Sequence, residues 1–112
     1  MAVETFPNSN HDIFHKYPSP KPGVIASMVE EEAVVLLAEK AQVKVLNTVG
    51  ARIWQLADGT KTVRDIINHI VNEYDVDTQQ AEPDIIEFLD LLWEKGMIEL
   101  LTIPKVNNNR QV

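Results

Sequence analysis

The chain predicts an α+β fold, a three-stranded antiparallel sheet followed by three helices. Two observations carry this. Between Val24 and Leu46 the composition turns to Val, Leu and Ile in three short runs, VIASMV, AVVLLA and VKVL, with the length and residue types of strands. Directly after them the stretch LNTVGARIWQLADGTKTVRDII, Leu46 to Ile67, reads as two helices joined by a tight turn, the opening of a helix-turn-helix. At 112 residues there is room for one core, because independent domains cluster near 100 to 150 residues.

Residues 1–23 are expected to form a flexible N-terminal arm. They are polar, show no period of 2 or 3.6, and hold Pro7, Pro18, Pro20 and Pro22, four of the six prolines, which punctuate regular structure. Ile13 and Phe14 are the exception, since adjacent bulky apolar residues are costly to leave in water and favour docking. The domain proper spans residues 24–103, and residues 104–112 are a polar tail.

Within the domain, the acidic triplet Glu30, Glu31, Glu32 and the step Glu39 to Gln42 separate the runs, so a meander is the economical sheet. Asn47 is placed to cap a helix from Thr48 to Ala57 that stops at Asp58-Gly59. Thr62 caps a second, in which Val63, Ile66, Ile67, Ile70, Val71 and Tyr74 follow the i, i+3, i+4, i+7 rule. Asp77 caps a third that runs to Lys95 before Gly96. Pro83 lies near its start, so that helix either opens with a distortion or becomes regular near Ala81. Met97 to Ile103 is apolar enough for a final strand.

Composition excludes several chemistries. There is no cysteine, hence no disulfide, thiolate metal site or cysteine nucleophile. Neither a signal-peptide pattern nor a run of about 20 apolar residues occurs, which points to a cytoplasmic protein with no membrane partner. A formal charge of −7 opposes binding to phosphate backbones, and the third helix sharpens the point. Where a DNA reader presents Arg, Lys, Asn or Gln, it carries Glu82, Asp84, Glu87, Asp90 and Glu94 against Lys95. Glu87, Asp90 and Glu94 fall on one side and read as a solvated face.

Nothing assembles into a catalytic constellation. His11 and His15 have helical metal-pair spacing but lack a third ligand. His69 reads as a partly exposed surface histidine with no partner. The glycines are dispersed, so no phosphate loop exists. No cofactor is expected.

The apolar side of the third helix is more informative. Ala81, Ile85, Phe88 and Leu92 form one stripe, and Ile86, Leu89 and Trp93 widen it to an arc of about 160° at 100° per residue. Part of so wide an arc is available as a groove wall, although Trp93 packed on the first helix or the final strand is the ordinary alternative.

The ordered set Leu46-Asn47, Gly50, Ile53-Trp54, Leu56, Asp58-Gly59, Thr62-Val63 and Ile66, continued by Tyr74-Asp75-Val76-Asp77, the DIIEFLDLLWEKG helix and the GMI end, closely resembles the PqqD-like family. Those proteins are small winged helix-turn-helix-like domains, also called RiPP recognition elements. The resemblance implies a non-enzymatic peptide chaperone. It would bind the leader of a ribosomally synthesised precursor peptide by β-strand addition and present it to a modifying enzyme, often a radical SAM protein. The implied peptide-binding residues are the third strand, Gln42, Val43, Lys44, Val45 and Leu46, with Ile86, Leu89 and Trp93 as the facing helix wall. An edge strand suits this role because it offers unpaired N–H and C=O groups to an extended peptide. By alternation Val43 and Val45 share one side and Lys44 takes the other, with sheet core as the ordinary place for the two valines. Pyrroloquinoline quinone members have a Tyr-Pro-Glu step before that strand, whereas this chain has Leu37-Ala38-Glu39-Lys40. Pyrroloquinoline quinone biosynthesis and another modified peptide, such as a lasso peptide or a radical-SAM product, are therefore both open. The expected state is monomer or weak dimer. The alternative function is a winged-helix DNA-binding transcriptional regulator.

Overall fold

The structure, a computed structural model, describes residues 11–106. A 3-10 turn, His11–His15, leads into β1, Tyr17–Pro20. Then come β2, Val24–Val29, β3, Glu32–Leu37, and β4, Gln42–Leu46, followed by α1, Thr48–Leu56, α2, Val63–Tyr74, α3, Thr78–Glu94, and β5, Ile98–Leu101. β2, β3 and β4 form an antiparallel meander in that order, and β1 pairs with β5 in a separate two-stranded sheet. This is the α+β, winged helix-turn-helix-like arrangement that the sequence pattern predicts.

Each helix starts at a side-chain cap. Asn47 Oδ1 accepts from the Gly50 N–H at 2.9 Å. At α2, Thr62 Oγ1 accepts from the Asp65 N–H at 3.1 Å, and Asp65 Oδ2 accepts from the Thr62 N–H at 3.0 Å, the reciprocal capping box that satisfies two otherwise orphaned donors. Asp77 Oδ1 accepts from the Gln79 N–H at 3.3 Å. α3 begins at Thr78 and continues through Pro83. The ring withholds one N–H from the carbonyl four residues back, on Gln79, which is exposed to solvent, so the lost bond costs little there.

The core lies between the inner face of the meander and the three helices. Ala33, Val35, Leu37 and Leu46 from the sheet are buried with Ile53, Leu56, Ile66, Ile67, Ile70, Ile85, Leu89 and Leu92 from the helices.

The N-terminal arm requires correction over residues 11–20, while residues 1–10 of that arm and 107–112 of the C-terminal tail lie outside the described residues. Ile13 is fully buried in the core, and the Arg64 guanidinium lies 4.4 Å from the centre of the Phe14 ring. β1 runs antiparallel to β5, Tyr17 opposite Leu101 and Pro20 opposite Ile98. The strap also holds the helix-turn-helix: the Val63 N–H donates to the Lys16 carbonyl at 3.0 Å, and the Gly59 N–H to the Pro18 carbonyl at 2.8 Å. Prolines fit here because β1 has a single strand partner and does not need every N–H.

Candidate functional site

β4 pairs with β3 on one side only, Gln42 opposite Leu37 and Leu46 opposite Ala33. Its other side carries no strand among the described residues, so alternate N–H and C=O groups point outward unpaired. Beside this edge lies a hollow of about 350 Å³. Lys44, Val45, Leu46 and Asn47 form its strand side, Val49, Gly50 and Ile53 of α1 its end, and Asp84, Ile85 and Phe88 of α3 the opposite wall.

Two local features shape that wall. Gly50 sits inside α1, and a Cβ on it would stand 3.2 Å from both Phe88 Cζ and Asn47 Oδ1. The absence of a side chain therefore lets the Phe88 ring lie against the first turn of α1. α1 is in turn tied to α2: the Arg52 Nε donates to Glu73 Oε1 at 3.0 Å. That bond is the main reason the Glu73 carboxyl is held below its ordinary range. His69, expected without a partner, joins this cluster, its Nε2 lying 2.9 Å from Glu73 Oε1 and 3.1 Å from Arg52 Nη2.

The facing of β4 is opposite to the ordinary expectation. Val43 and Val45 are 61% and 64% exposed, whereas Leu46 is 2% exposed. The register explains this: Gln42, Lys44 and Leu46 stand opposite Leu37, Val35 and Ala33, the buried side of β3. The inner side chains of β4 are thus Gln42, Lys44 and Leu46. The Gln42 Oε1 is buried and accepts no hydrogen bond among the described residues.

The expected helix wall is also displaced. Leu89 is fully buried and is part of the core. Ile86 lines a different hollow, with Phe14, Glu82 and Pro83. Trp93, about 20° from Ile86 at 100° per residue, is partly buried against the core and does not line the β4 hollow. The core-facing line of α3 is Ala81, Ile85, Leu89 and Leu92. Ile86 and Trp93 flank it on one side, Phe88 and Asp84 on the other, and the second flank meets β4. Phe88, Asp84 and Ile85 are wall residues that the apolar arc by itself does not single out. Their one trace in the sequence is Gly50, a glycine inside α1, against which Phe88 packs.

Beyond Phe88 the wall opens into a second hollow of about 510 Å³, lined by Asp84, Glu87, Phe88, Asp90, Leu91 and Glu94. Glu82 pairs with Arg64 at 3.3 Å; the other four carboxylates have no ion pair among the described residues. Among those residues no three His, Cys, Asp or Glu side chains converge as a metal site, and no helix is long and apolar enough to cross a membrane. An open strand edge, an apolar cleft and an uncompensated acidic rim are features of a binding surface for an extended chain.

Known proteins share this frame. Residues 32–98 match the family model for coenzyme PQQ synthesis protein D (PqqD). The chain is 32% identical over 87 residues to a PqqA binding protein of Xanthomonas euvesicatoria pv. vesicatoria (strain 85-10), covering 77% of this chain and 94% of that one. It is 35% identical over 66 residues to a PqqA binding protein of Xanthomonas axonopodis pv. citri (strain 306), covering 59% and 71%. Among solved structures it is similar to TbiB1 in complex with the TbiA(beta) leader peptide, with a TM-score of 0.68, 31% identity, and coverage of 72% of this chain and 94% of that one. It is also similar to lasso peptide synthetase B1 complexed with the leader peptide, with a TM-score of 0.66, 27% identity and coverage of 74% and 98%. The family match runs from β3 through α3, more than half of the chain, and the first relative is matched over 77% of this chain at 32% identity; on that basis the chain belongs to the PqqD family.

Proposed function

We propose that this protein captures the leader of a ribosomally made precursor peptide as an added strand on β4 and presents it to a separate modifying enzyme, performing no chemistry itself. One observation carries the reading: the free edge of β4 runs beside the cleft walled by Ile85 and Phe88. Main-chain hydrogen bonds to Gln42 through Leu46 supply affinity that is indifferent to sequence, and an apolar side chain inserted between Leu46, Ile53 and Phe88 supplies selectivity. The named relatives bind PqqA or a leader peptide, which supports the same use of this edge.

A DNA-reading role finds no support on the surface. Asp84, Glu87, Asp90 and Glu94 face outward on the helix that would enter the groove, where phosphates would be repelled.

Calorimetric titration with synthetic PqqA and lasso leader peptides, paired with amide shift mapping, tests the proposal. Binding with shifts concentrated at 42–46 and Phe88 is expected. Binding that perturbs only other surfaces, or no binding of any leader, contradicts it.

A further inference from the structure

We infer that the peptide held in this groove carries a lysine or arginine next to its apolar anchor, read by Asp84, Glu87 and Glu94 on α3. The inference rests on the leader-capture reading and specifies the chemical class of leader.

The two hollows are neighbours, both lined by Asp84 and Phe88. The first is mainly apolar, with Lys44 on the strand side and Asp84 on the helix side. No cation lines the second, whose rim is four carboxylates and whose floor is Phe88 and Leu91. Spaced three and four residues apart along α3, these like charges destabilise the helix that bears them, and none is compensated by an ion pair among the described residues. A cationic occupant relieves that repulsion.

The shape selects which cation. A metal ion needs oxygens converging on one point, and no such convergence occurs among the described residues. A long basic side chain needs an apolar bed for its stem and acceptors for its tip; here Phe88 and Leu91 give the bed and the carboxylates beside them the acceptors. An arginine also gains from stacking on the Phe88 ring. Lys44, on the opposite wall of the first hollow, repels a cation placed over β4, so it favours the basic residue beyond Phe88 and an acidic or neutral one across from itself.

The test uses the full chain and needs no natural leader. A pool of randomised 14-residue peptides displayed in vitro is selected on the wild type and on the isosteric, exposed-site variant Asp84→Asn/Glu87→Gln. Lys or Arg should be enriched next to an apolar residue on the wild type and lose that enrichment on the variant. Synthesised winners should bind the variant about two- to fivefold more weakly per carboxylate removed, a difference that shrinks at high salt. Selected apolar peptides that shift the β4 amides without any basic preference, or with an acidic one, overturn this inference and leave leader capture standing. A selection that yields no peptide shifting those amides overturns both together.

Discussion

The ring of Phe88 rests on Gly50 so closely that a single added carbon there would lie 3.2 Å from Cζ. A glycine in one helix thus sets the position of an aromatic wall on another, and the cleft beside β4 depends on the pair.

Gly50→Ala separates fold from site. Alanine gains about 1 kcal/mol of helix propensity over glycine, which offsets the tight contacts at Phe88 and Asn47. Stability by urea unfolding should change by less than about 1 kcal/mol, while leader affinity by calorimetry falls several-fold as the ring is displaced. Unchanged affinity would remove Phe88 from the site.

The two flanks of α3 should respond differently. Phe88→Ala should weaken leader binding about tenfold or more, as expected for loss of a partly buried aromatic anchor. Trp93→Ala should leave affinity within about twofold, and its cost should appear in thermal stability instead. The reverse pattern would place the groove on the Ile86 side.

Much of the fold is legible in the chain because local and tertiary signals agree. The Thr62 cap and the apolar period from Val63 to Ile70 specify α2, and Asn47 and Asp77 mark the starts of the other helices. β1 is illegible for a physical reason: its partner β5 lies at the far end of the domain, and Pro18 and Pro20 read locally as breakers although an edge strand tolerates them. At the site, the free edge of β4 follows from its place as the last strand of the meander. Its facing does not, because alternation sets the spacing of Val43 and Val45 but not their side; the pairing of Lys44 with buried Val35 decides that. Likewise the apolar arc of α3 extends past the core on both flanks, and only the crossing of the helix over the sheet assigns Phe88 to the strand and Trp93 away from it.

Ile13 should behave as a core residue despite its place near the N-terminus. It is fully buried, so Ile13→Ala should cost about 2 to 5 kcal/mol in urea unfolding. A cost near zero would mean that the strap contributes nothing to the domain.

The Asp58 turn predicts an acid dependence. Burial opposes ionisation of Asp58, but hydrogen bonds from the Thr60 hydroxyl and N–H, with Lys61 nearby, outweigh it and hold the carboxyl below its ordinary range. A carboxyl whose value is depressed by folding contributes stability that is fully present above its unfolded value of about 4 and is lost as pH falls through the folded one. Asp58→Asn should therefore be less stable than wild type at pH 7, with the gap closing as acid takes the solution below the ordinary carboxylate range. A gap independent of pH would show that ionisation is irrelevant to this turn.

Hydrogen exchange at the backbone amides of Gln42 through Leu46, compared with and without a bound leader peptide, tests strand addition most directly. The outward-facing N–H groups of β4 should exchange quickly in the free protein and slow by at least tenfold in the complex, in an alternating pattern. A leader that binds while leaving every one of these amides at its free rate would contradict the account.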